Sequence, residues 1–473
     1  MTQTQQTAPK AKEDLPFGWE ISDKIVPEIA KSFDVWSVFS PAGGFVPKDS
    51  LNLGQGFMSW NPPEFIRQAA SDVLSVVECN HYSIPRGRAR LRAALSELVS
   101  ESFNLPEGRK IDPATEILVT AGANEGMYAY AAAFIRPGDE VILFEPYFDQ
   151  YTAQITFNGG VPVFVPIHAP EAAATSNVSA SEWKINLDEL RAAITPKTKM
   201  IWLNTPHNPV GKVFDEEELR AIGNIAEEFN LMILSDEVVR LFSLLQTETL
   251  RAVPSYLPLT NQLCSQYDVL TFDSKPHLRI ASLDNFYHRT ITVGSAGKSF
   301  SATGWRIGWL IGPAPLIRAS LAAHTRIVFT ASSPSQEASA IGIEMAIENG
   351  FFKKQVGEYE ERRAVLIEGL DKLGLPYTVP DGAYFILVNT ARLEIPEDFP
   401  VPDMIKGRAR DWKAAWFIAQ TAGVVCIPPT DFYSEPHWSM GENFIRLAFC
   451  KDVDVLRAAS ERLLKLKPYI RDA

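Results

Sequence analysis

Between about residues 66 and 320, short apolar runs alternate with longer stretches of helical periodicity. The runs Ile117–Thr120, Val141–Phe144, Val161–Val165, Met200–Leu203, Leu231–Leu234, Thr290–Val293 and Trp305–Ile311 are rich in β-branched residues and almost continuously apolar. Such runs predict strands of a sheet covered on both faces. Helices are predicted at Gly126–Phe134, Leu187–Ala193 and Glu216–Phe229. The last follows Asp215, with Glu218 three residues on, a capping-box spacing. The order implies an α/β doubly wound architecture with seven mainly parallel strands. Sheets of this kind carry their chemistry in loops at the carboxyl ends of the strands.

After about residue 325 the texture changes. A long helical stretch, Pro334–Leu373, leads into GLPYTVPDGAYFILVN, which reads as strands, and the chain closes on a last strand at Asn443–Phe449. The expected organisation is a disordered segment at 1–20, a small α+β domain built from 21–65 and 326–473, and a large domain at 66–325. Residues 240–278 fit the alternation poorly and read as an insertion between two core elements. EAAATSNVSAS (171–181) approaches low complexity and reads as a surface loop.

Charge narrows the partners. Lys plus Arg number 45 against 57 Asp plus Glu, a formal charge of -12, and no run of Lys or Arg breaks the acidic background. A nucleic-acid partner is not expected. No window approaches the roughly 18 uninterrupted apolar residues of a membrane span. Cys79, Cys264, Cys426 and Cys450 are scattered, without metal-ligand spacing, which points to reduced thiols and to no metal. The polar opening segment resembles no secretory signal. A cytoplasmic location is expected, with mitochondria the alternative.

Five strand-end segments carry candidate chemistry: VTAGANEG (119–126), EPYFDQY (145–151), NTPHNPVG (204–211), LSDEVV (234–239) and GSAGKSFSATGWRIGW (294–309). AGANEG is a small-residue turn opening a helix, where free N–H groups and the helix dipole attract phosphate. Together the segments offer a phosphate cradle, a strand-end carboxylate (Asp236), a loop asparagine (Asn208), an aromatic residue (Phe148) and a lysine (Lys298). Pyridoxal phosphate chemistry needs this set. The lysine forms the Schiff base, the carboxylate keeps the pyridine nitrogen protonated, and a flat residue stacks on the ring.

NLGQGF, NTPHNPVGKVF, SDEV, GSAGKSFSATGWRIGW and FIRLAFCKD resemble the fold-type I, class I aminotransferases, a resemblance that runs from about Trp36 to Lys467 and is interrupted at 240–278. Within them the chain is most similar to the kynurenine aminotransferase and cysteine-S-conjugate β-lyase group. The resemblance implies a homodimer that uses pyridoxal 5′-phosphate, with Lys298 the Schiff-base lysine and Asp236 the partner of the pyridinium nitrogen. It implies Asn208 on the cofactor 3′ oxygen and near the substrate, and Phe148 and Val238 on the two ring faces. The phosphate would be held by the N–H groups of Ala123 and Asn124, by Ser295 and Arg306, and by Tyr82 across the dimer. Arg446 would clamp the substrate carboxylate, Gly56 and Trp36 would line the substrate pocket, and Phe329 would enter from the other subunit.

The chain departs from that pattern at Val239, where the family carries a tyrosine that donates to the cofactor oxygen; Tyr256 or Tyr267, or a water, is a candidate replacement. Thr330 and Asn124 also differ from mammalian-type members, which alters the pocket walls. The expected reaction is transamination from a large, aromatic, kynurenine-like L-amino acid to a 2-oxo acid. The alternative is C–S β-elimination from a cysteine conjugate or another specialised reaction of the same cofactor.

Overall fold

The computed structural model describes residues 22, 24–25, 34–238, 271–273 and 275–472. All seven anticipated strands are present in one sheet. Across it run Ile117–Thr120, Gly308–Ile311, Thr290–Ser295, Met232–Asp236, Thr198–Asn204, Glu140–Glu145 and Val161–His168, with a short eighth strand, Lys184–Ile185, at the edge. The five strands from Thr290–Ser295 to Val161–His168 pair in parallel. Gly308–Ile311 is antiparallel to both neighbours.

Successive strand residues enter opposite layers, as the pleat requires. Val141 and Leu143 join Met127, Tyr130 and Ile155 of the helices Ala123–Phe134 and Gln150–Phe157. Ile142 and Phe144 join Leu219, Ile222 and Ile225 of the helix Glu216–Glu228 on the other side. That helix starts where the sequence predicts. The Asp215 side chain accepts from the Glu218 N–H, and the Glu218 side chain accepts from the Asp215 N–H.

A separate apolar core combines residues 35–58 with residues 359–466. Its antiparallel pair, Phe385–Asn389 and Phe444–Ala448, places Leu387 opposite Arg446. Leu51–Asn52 pairs in parallel with Val424–Val425, tying the early residues into this core.

Two sequence expectations are corrected. The stretch Pro334–Leu373 is two helices, Ser333–Asn349 and Phe351–Leu373, parted at Gly350, whose φ of 66° is left-handed and ends the first. The segment 171–181 does lie at the surface, with Glu171, Ala172 and residues 174–177 exposed, but it is not a loop throughout. Ala173, Val178 and Ala180 are buried, and Val178–Ser179 pairs in parallel with Thr378–Val379, because a small-residue run also suits close packing. Val239, Tyr256 and Tyr267 lie outside the described residues. The C-terminal end of the 240–278 stretch packs down, with Phe272 buried against Phe449 and Lys275 Nζ 2.6 Å from Asp381.

Candidate active site

Register across the sheet gathers the strand-end residues. Asn204 lies opposite Asp236 and Asp236 opposite Val293. Because Gly308–Ile311 runs in the reverse sense, its first residue meets the last residues of its neighbours, Ser295 and Thr120. Loops from five strands thus converge on one edge of the sheet. There Trp36, Gly56, Phe148, Asn208, Asp236, Val238, Lys298 and Arg446 line a single cavity, together with Asn204, Tyr384 and Phe385.

Lys298 sits in the one-turn helix Ala296–Ser299, which Ser295 caps by accepting from the Gly297 N–H. Its Nζ donates to the Gly56 carbonyl at 2.7 Å and lies 5.7 Å from the centre of the Tyr384 ring. Burial, reinforced by Arg306, Lys451 and Arg446, lowers its pKa to about 8. Asp236 is buried and makes no ion pair among the described residues. Burial pushes its pKa up to about 6, against the opposing hydrogen bonds from the Tyr151 hydroxyl and the Val238 N–H.

Arg446 is the most confined charge in the cavity, at 1% exposure. Its Nη1 donates to Asn208 Oδ1 at 3.0 Å and its Nη2 to the Gly54 carbonyl at 2.7 Å. Its Nε is buried without a partner. Rings of Phe385, Phe432 and Trp36 surround the guanidinium at 4.2, 5.0 and 5.3 Å. Burial lowers its pKa to about 10. A buried guanidinium with no carboxylate of the described chain in contact is an anion-binding group.

A second anion cradle opens where the helix Ala123–Phe134 begins. Gly122 precedes it with φ 86°, no side chain caps it, and the N–H groups of its first turn are the ones a helix leaves without intrahelical partners. A Cβ on Gly122 would stand 2.5 Å from Arg306 Nη2, so the guanidinium lies directly over the turn. Asn124 and Arg306 line this cavity. Asn124 Oδ1 is held by Gln154 Nε2 at 2.5 Å.

Tyr82 and Phe329 are not brought to the cavity of their own chain. They meet edge-on at the surface, 5.7 Å apart and 89% and 46% exposed, and the neighbours in sequence Val76, Val77, Ile84, Ile327 and Val328 are exposed as well. Conversely, sequence reasoning missed Tyr384, Phe385 and Phe432 as walls of the site. It also missed Asp149, whose Oδ2 accepts from Trp36 Nε1 at 2.7 Å, and Tyr151, whose hydroxyl donates to Asp236 Oδ2. Only Tyr151 and Asp149 carried any signal, through their place in EPYFDQY.

Residues 48–463 match the family model described as aminotransferase class I and II. A Saccharomyces cerevisiae protein named "Probable kynurenine--oxoglutarate transaminase BNA3" is 40% identical over 92% of this chain and 93% of its own length. The kynurenine--oxoglutarate transaminase of Dictyostelium discoideum is 38% identical over 92% of this chain and 94% of its own. The crystal structure of Bna3p from Saccharomyces cerevisiae superposes with a TM-score of 0.84 at 39% identity, covering 96% of this chain and all of that one.

Proposed function

The chain belongs to the aminotransferase class I and II family, and we propose that it moves the amino group of a large aromatic, kynurenine-like L-amino acid to a 2-oxo acid such as 2-oxoglutarate. The observation that carries this reading is Arg446, a buried guanidinium held by Asn208 and ringed by Trp36, Phe385 and Phe432 in the cavity that also contains Lys298 and Asp236. A carboxylate suits the cation, and an aromatic side chain suits its surroundings.

The residues fit pyridoxal 5′-phosphate as cofactor. Asp236 is a buried carboxylate with no cation in contact among the described residues, Lys298 is an amine drawn toward neutrality, and the Gly122 turn with Arg306 is a cradle suited to a phosphate dianion. Ala123, Asn124 and Ser295 would complete that cradle, with Phe148 and Val238 on the two faces of the ring. Bound there, the cofactor supplies an electron sink for the negative charge that develops at the substrate α-carbon.

The chain's own groups do the rest. Arg446 fixes the α-carboxylate and so aims the α-hydrogen. Lys298 Nζ, with its low pKa, takes that proton as general base. Asp236 would hold a proton on the ring nitrogen of the bound cofactor. Asn208 has committed its carboxamide oxygen to Arg446, which leaves its amide nitrogen to donate to the ring oxygen.

The exposed apolar patch around Tyr82 and Phe329 supports a homodimer in which these residues complete the other subunit's site. The division into a large unit (66–325) and a smaller one (21–65 with 326–473) belongs to the same reading. Buried free thiols at Cys79, Cys426 and Cys450 favour a reducing compartment such as the cytoplasm. No helix among the described residues is long and apolar enough to cross a membrane.

The test is to follow the cofactor absorbance while titrating amino acids, kynurenine and phenylalanine among them, without an acceptor. Stoichiometric conversion to the pyridoxamine form, restored by 2-oxoglutarate and absent in Lys298→Ala, is expected. Sustained pyruvate release from a cysteine conjugate would identify a C–S lyase instead, and selectivity for small acidic donors would overturn the aromatic assignment.

A further inference from the structure

We propose that Tyr151 is the positioning residue for Asp236, holding its carboxylate so that one edge stays aimed at the ring nitrogen of the cofactor. The inference rests on the reading of this cavity as a pyridoxal phosphate site. Tyr151 is 2% exposed, and its hydroxyl donates to Asp236 Oδ2 across 85 residues of sequence. The other carboxylate oxygen, Oδ1, accepts from the Val238 N–H at 3.0 Å. Two donors on two oxygens fix the rotation of the carboxylate plane, which a single hydrogen bond does not. Each oxygen keeps a further lone pair, so the carboxylate can still accept from a ring N–H.

The phenol is itself locked. Its ring meets Trp202 edge-on at 5.4 Å and Phe148 edge-on at 5.6 Å. The Tyr151 N–H donates to the Phe148 carbonyl at 3.0 Å, so the residue that would stack on the cofactor and the residue that orients Asp236 share one turn of backbone. Burial, with Asp236 beside it, holds the phenol pKa well above its ordinary value of 10, which keeps the hydroxyl a donor throughout the working pH range. Tyr151 touches neither substrate nor reacting atom in this scheme and acts only through Asp236.

The prediction is selective. Dissociation constants for pyridoxal phosphate and for its 1-deaza analogue, which has carbon in place of the ring nitrogen, are measured on the apoprotein by tryptophan fluorescence. Tyr151→Phe keeps the aromatic packing and removes the donor. It should weaken pyridoxal phosphate about tenfold, the scale of one hydrogen bond to a charged group, while binding of the analogue changes less than twofold. Trp202→Phe retains the phenol but loosens its edge contact, and should show the same selective loss at smaller size. Equal loss for both ligands, or no loss for either, overturns the assignment, because a merely structural tyrosine cannot distinguish nitrogen from carbon in the ring. Failure of the unsubstituted protein to bind either ligand would instead sink the cofactor reading on which this rests.

Discussion

Arg446 and Asn208 are joined by a hydrogen bond of 3.0 Å between Nη1 and Oδ1, although 238 residues separate them. One lies on a strand packed into the core shared by residues 35–58 and 359–466, the other on the loop after the Thr198–Asn204 strand. The buried guanidinium is therefore oriented by a residue from the doubly wound sheet, and the two parts of the chain together fix its position.

That geometry predicts the outcome of Arg446→Lys. A lysine keeps the charge but has three donors in place of five, so it cannot hold Asn208 and the Gly54 carbonyl while meeting a carboxylate with two parallel hydrogen bonds. kcat/KM should fall about 10–100-fold. KM should rise for both the amino acid and the oxo acid, since each presents a carboxylate to the same group. A loss confined to one of the two substrates would argue against a shared site.

Gly122→Ala tests the cradle. The substitution places a side chain at φ 86° and 2.5 Å from Arg306 Nη2. Displacing that guanidinium should weaken pyridoxal phosphate by on the order of tenfold, given a strain of roughly 1–3 kcal/mol for a side chain in a conformation, φ 86° and ψ 162°, that essentially only glycine adopts. The loss should be smaller for pyridoxal lacking the phosphate. Similar losses for both would place the damage elsewhere.

The lysine supplies a pH prediction. Burial lowers the Lys298 pKa from 10.5 to about 8, so its amine is neutral, and nucleophilic, above about pH 8. In the cofactor-free protein, reductive methylation of Lys298 followed by peptide mass analysis should rise with a midpoint near pH 8. A short lysine-containing peptide added to the same reaction should follow at the higher pH of an ordinary amine. Coincident midpoints would show that the site does not perturb the amine.

A second titrating group lies under the Phe432 wall. Asp411 is buried and accepts from the Thr430 N–H at 2.7 Å and the Thr430 hydroxyl at 2.9 Å. Burial raises its pKa to about 7. Because the folded state holds this proton where the unfolded chain has released it, the group's contribution to stability falls as pH rises from about 4 to about 7. The difference in melting temperature between the wild type and Asp411→Asn should therefore shift against the wild type between pH 5 and pH 8. A difference independent of pH contradicts this.

Association can be tested without touching the cavity. Val77 is 64% exposed in the single chain, so Val77→Asp removes little packing of its own subunit. If the patch around Tyr82 and Phe329 is the dimer face, sedimentation should show a monomer, with activity reduced more than about tenfold because a charge buried at an interface is strongly unfavourable. An active dimer would move the interface elsewhere.

The seven strands were legible because each is a short apolar run between turn residues, and burial on both faces leaves that signature in composition alone. The Asp215–Glu218 cap was legible because it is a contact three residues long. Strand-end position likewise picked out Asn208, Asp236 and Lys298, since in this architecture chain order already says which end of a strand a loop leaves. Periodicity could not announce the break at Gly350, where one left-handed residue interrupts two helices of similar pattern, nor the pairing of Val178–Ser179 with a strand two hundred residues later. Nor could it show that Trp36 is held by Asp149, that Phe432 walls in Arg446, or that the Tyr151 hydroxyl reaches Asp236. Local burial is written into neighbouring residues, but the partner of a polar atom is chosen by which distant surfaces meet, and that was settled only when the chain packed.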